Sequence, residues 1–125
     1  MRVHAFVAVT AALFFLSSCA SGLQRSAKDE LELGTAVARR GYWQEALFRF
    51  QRAAEAVPGD AEILNNVAVA QEALGRYDDA LKSYKAALRK APHNTTIRRN
   101  YARFAEFYAS YARGVRPKED LNVGR

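Results

Sequence analysis

A stretch of 34 residues occurs twice in immediate succession, "AKDELELGTAVARRGYWQEALFRFQRAAEAVPGD" (27–60) and "AEILNNVAVAQEALGRYDDALKSYKAALRKAPHN" (61–94), with no gap between or within the copies. A chain with such a period builds a row of like units, each burying its apolar face against the next. Six pairs fall in register: Gly41 and Gly75, Trp43 and Tyr77, Ala46 and Ala80, Phe50 and Tyr84, Ala53 and Ala87, Pro58 and Pro92. Each pair has a physical task. The glycines end a helix where the backbone turns left-handed, which costs little without a Cβ. The alanines recur at seven-residue spacing and let helices approach closely, while Phe50, Tyr77 and Tyr84 fill the space around them. The prolines stop the second helix, and Asp60 and Asn94 are placed to cap the one that follows.

The pattern predicts five helices, near 28–40, 44–57, 61–74, 78–91 and 95–112, with no strand signal. The fifth opens a third unit in the same register. Tyr101, Phe104, Tyr108 and Tyr111 form one helical stripe on it, and Ala102 matches the small residues Gly34 and Ala68. No second helix of that unit is expected.

These in-register positions are the ones that define the tetratricopeptide repeat, which the chain resembles over residues 27–112. The resemblance implies an all-α fold, an α-solenoid of two helix hairpins (27–60 and 61–94) and a C-terminal capping helix (95–112). It also implies a non-enzymatic scaffold whose first helices line a concave groove for a protein. The sequence departs from the family pattern at Glu30 and Leu64, which stand where each unit would carry its first large aromatic. Two and a half repeats are few for a continuous core, so a homo-oligomer is a further expectation.

The single cysteine lies outside the repeat. Arg2, the apolar run "AFVAVTAALFFL" (5–16) and the small residues "SSCAS" have the order of a secretory signal. At about 1.5 Å per residue that run reaches only about 18 Å, short of the roughly 30 Å of bilayer hydrocarbon. The run ends Leu16-Ser17-Ser18-Cys19, which resembles a bacterial lipobox. That resemblance implies a signal peptide over 1–18, an acylated Cys19, and a lipoprotein held by diacylglycerol and an amide-linked chain such as palmitate. Several acyl chains anchor firmly where one does not. Ala20 is not the aspartate that retains enterobacterial lipoproteins at the inner membrane, so the periplasmic face of the outer membrane is expected. Residues 19–27 then read as a short tether and 113–125 as a basic flexible tail.

No catalytic constellation accompanies the repeat. There is no nucleophile elbow, phosphate-cradling glycine loop or His-Glu-x-x-His, and His4 and His93 stand far apart, so no metal, cofactor or enzyme activity is expected. Charge is the better guide. Residues 89–125 hold nine Lys and Arg against three acids, whereas residues 19–88 hold nine against ten. Arg99, Arg103 and Phe107 are expected in the groove beside Asn65, Asn66 and Val69, and these six form the candidate partner site. An alternative packs Phe107 on the tail around Val115 or Leu121. The clamp by which chaperone-binding relatives hold a C-terminal carboxylate is matched only at Asn66, so that ligand is not expected. The expected partner is a protein of the cell envelope, in a pilus, secretion or outer-membrane assembly. The alternative is an anionic lipid or glycan bound by the basic C-terminal third. Nucleic acid is not expected for an exported chain.

Overall fold

The computed structural model describes residues 22–23 and 25–115, so Cys19 and its lipobox, and the tail beyond 115, lie outside the described residues. Helix α1 covers 25–39 and is followed by α2 (Trp43–Ala56), α3 (Ala61–Ala73), α4 (Tyr77–Lys90) and α5 (Thr95–Val115). No strand occurs among the described residues.

Within each repeat the chain reverses at the glycine that the register marks. Gly41 and Gly75 have φ of 83° and 74°, and each turn closes in the same way. Tyr42 N–H donates to Val37 O at 3.1 Å, and Arg76 N–H donates to Gln71 O at 2.9 Å. These bonds satisfy carbonyls that a helix end leaves open. Between repeats a side chain starts the next helix. Asp60 Oδ1 accepts from Glu62 N and Ile63 N at 2.9 and 3.0 Å, and Asn94 Oδ1 accepts from Thr96 N and Ile97 N at 3.0 and 3.1 Å. Both caps stand where the repeat predicts them.

Two helix ends differ from the sequence expectation. The tether expected over 19–27 is helical at 25–27, because Ala27 packs into a cluster with Ala53 and Ile63. At the other end α5 runs on to Val115, so residues 113–115 belong to helix rather than tail. The reason is one side chain. Position 109 is alanine where the earlier units place Gly41 and Gly75, and without a left-handed turn the helix continues. Its added turns carry Tyr111 onto Tyr77, ring centroids 4.8 Å apart.

The helices share a layered core. Ala46, Leu47, Phe50, Val67 and Ala70 join α2 to α3, with Leu31 and Val37 of α1 against them. Ala68, Ala80, Tyr84 and Phe104 join α3, α4 and α5. The four alanines at seven-residue spacing are all fully buried. Glu30 supplies what its missing aromatic does not: its carboxylate accepts from Arg52 Nε at 2.8 Å and pairs with Arg49 Nη1 at 3.3 Å, fastening α1 to α2.

Candidate partner-binding groove

Between α3 and α5, at the end where the helices reverse, lies an open hollow of about 350 Å³. Val69, Glu72 and Ala73 line it from α3, Arg103 and Phe107 from α5, and Trp43 and Tyr77 from the first turns of α2 and α4. Spacing explains the grouping. Residues three or four apart share a helix face, which places Val69 with Glu72 and Ala73, and Arg103 with Phe107.

The wall is aromatic. Phe107 meets Tyr77 edge to face, centroids 4.9 Å apart at 65°, and remains 45% exposed. The floor is an ion pair. Glu72 Oε1 lies 3.1 Å from Arg103 Nη1, and Glu72 Oε2 accepts from Arg103 Nη2 at 3.2 Å and from the Tyr84 hydroxyl at 2.8 Å. Burial, and then the Glu72 carboxylate, hold the Tyr84 phenol well above the usual tyrosine range, so it stays protonated and donates. Such a hollow suits recognition: exposed ring surface takes an apolar side chain, and a carboxylate and guanidinium offer an acceptor and donors to a backbone. Among the described residues no group of three His, Cys, Asp or Glu is placed to hold a metal ion.

The six residues picked from the sequence divide. Val69, Arg103 and Phe107 meet in this hollow. Asn66 sits half-buried on α3 outside it. Asn65 is only 5% exposed, and its Oδ1 accepts from Asn100 Nδ2 at 3.1 Å, so it joins α3 to α5 rather than facing a partner. Arg99 is exposed and lines a different hollow with Leu88 and Pro92. Arg103, expected in the groove, is paired there with Glu72. Phe107 packs on Tyr77; of its two alternative neighbours, Val115 ends α5 and Leu121 lies outside the described residues. The sequence reading missed Trp43, Glu72 and Tyr77 as lining residues. The signal for Glu72 was its place three residues after Val69 on the same helix face.

A family model for the tetratricopeptide repeat matches residues 31–95, just over half of the 125-residue chain. The chain belongs to the tetratricopeptide repeat family. No curated protein matches it. Among solved structures, the TPR domain of Arabidopsis OM64 is similar, with a TM-score of 0.66 and 18% identity over 72% of this chain and 74% of that one. A point mutant of MamA is similar with a TM-score of 0.59 and 24% identity, over 87% of this chain and 82% of that one. In this tetratricopeptide repeat domain the matched span carries Trp43, Val69, Glu72 and Tyr77 of the hollow. Arg103 and Phe107 follow it on α5, the capping helix of the solenoid. The fold is that of a protein-protein interaction scaffold.

Proposed function

We propose that the protein is a non-enzymatic adaptor, tethered through acylated Cys19 at the periplasmic face of the bacterial outer membrane, that recruits an envelope protein to the Phe107 hollow. The observation that carries this reading is the hollow itself, where a half-exposed aromatic wall stands over the Glu72–Arg103 pair. A hydrophobic anchor within a polar setting is the usual energetic centre of a protein interface. The tether rests on Leu16-Ser17-Ser18-Cys19 and the apolar run before it. Holding the domain at a membrane raises its effective concentration for anything else held there, so a modest groove affinity is enough.

The test is a cross-linked pull-down of the membrane-extracted protein, identified by mass spectrometry, beside Cys19→Ala and Val69→Asp/Phe107→Ala variants. The expected result is one envelope protein that is enriched by the native chain and lost with the double variant. Cys19→Ala should remove both the acyl mass and the membrane fraction. The same proteins captured by all three chains would refute the groove, and an unmodified Cys19 would refute the anchor.

A further inference from the structure

The outer face of α5 forms a second surface, and the repeat register shows what covers such a face. Gly34 of α1 lies beneath Phe50 of α2, so close that a Cβ there would stand 2.6 Å from the ring. Ala68 of α3 packs with Tyr84 of α4 and is fully buried. Ala102 is the corresponding residue of α5, and it is exposed. Beside it stand Arg98 and Arg99, at the positions where α3 has half-buried Leu64 and buried Asn65. With Leu88, Pro92 and Tyr101 they line an open hollow of about 490 Å³.

We propose that this hollow is a docking slot for an acidic amphipathic helix of another protein, which takes the place of a sixth helix. It sets a large apolar side chain over Ala102, as Phe50 and Tyr84 are set over Gly34 and Ala68, and carboxylates beside Arg98 and Arg99. Charge selects the occupant: neither arginine pairs with a carboxylate among the described residues, and both line the hollow beside the apolar Leu88, Pro92 and Tyr101, so a complementary helix would meet them with opposite charge. The α4 helix of a second copy fits poorly. α4, whose face is shaped for such a site, carries four Lys and Arg against two Asp and would meet Arg98 and Arg99 with like charge. The slot shares no lining residue with the Phe107 hollow, so either surface can fail its test without the other.

The probe is a fluorescent peptide of the Tyr77–Lys90 sequence carrying Lys82→Glu, Lys85→Glu, Arg89→Glu and Lys90→Glu, titrated against the full chain in detergent. Saturable binding is expected, weakened by about tenfold or more in Ala102→Arg, which fills the slot while adding to its positive charge, and in Arg98→Glu/Arg99→Glu, which reverses that charge. The unaltered basic peptide should not compete. Helical circular dichroism checks that the variants fold, as substitution at these exposed positions allows. Absence of saturable binding overturns the proposal, as does equal binding by Ala102→Arg. Binding that appears only after truncation behind Val115 would give the slot to the chain's own residues 116–125. A dimer abolished by Ala102→Arg, without peptide binding, would give it to a second copy. Capture by phosphatidylglycerol vesicles that survives Ala102→Arg, again without peptide binding, would give it to a lipid surface. Each of these three results also overturns the proposal.

Discussion

Glu72 gathers donors from two other helices on one carboxylate, the Tyr84 hydroxyl of α4 and the Arg103 guanidinium of α5. Tyr84 is the buried member, and its protonated state is bound up with the fold. In the unfolded chain a tyrosine ionises near about pH 10. In the folded chain burial and Glu72 hold the Tyr84 phenol above that value, so the native state binds more protons and stability falls as pH rises. The contribution is complete below about pH 10 and declines above it. Urea midpoints measured from about pH 9 to about pH 11 should therefore fall, and Tyr84→Phe should flatten that fall. An equal slope in the variant would show that Tyr84 does not carry the effect. At this scale the sequence was legible for shape more than for pairing. Ala46 and Phe50 could be placed by their period, but nothing local to Arg103 announces a partner at Glu72, because that bond depends on how α3 and α5 cross.

At the scale of the element, the helix starts differ in how they are made. α3 and α5 open on side chains that accept two backbone donors each, whereas α2 and α4 open at Tyr42 and Arg76 without a side-chain cap and rely on the preceding glycine turn. Asp60→Ala should cost about 1 kcal/mol through loss of its cap, while Tyr42→Ala, at an uncapped start, should lower stability much less. Chemical denaturation of the two variants makes the comparison, and equal losses would contradict this account. Asp60 and Asn94 could be read from the sequence because a cap is a local device. The start of α1 could not: Ser26 and Ala27 have the composition of a linker, and only burial of Ala27 against Ala53 and Ile63 draws them into the helix.

Across the whole molecule, two full repeats and one helix share three small apolar clusters, and no unit stands alone. Phe104 is the fully buried aromatic through which α5 joins α3 and α4. Phe104→Ala should cost about 3–5 kcal/mol, a large part of the stability of so small a domain. In a row this short the loss should propagate, so thermal melts are expected to show one lowered transition over all helices. A variant that kept a separate, unshifted transition for α1 and α2 would show that the first hairpin folds by itself. The repeat made the number and order of helices legible, since every unit states the same instruction twice. It did not reveal that Asn65 turns inward to Asn100 while Arg99 turns away, because those directions follow from neighbours the third unit does not supply in kind. Ala109 has a consequence for how such a chain can lengthen. A duplicated unit inserted ahead of α5 would inherit turns at both ends and leave the terminus intact, whereas one added behind it would follow a helix that does not reverse. One methyl group therefore makes this row easier to lengthen from within than behind α5.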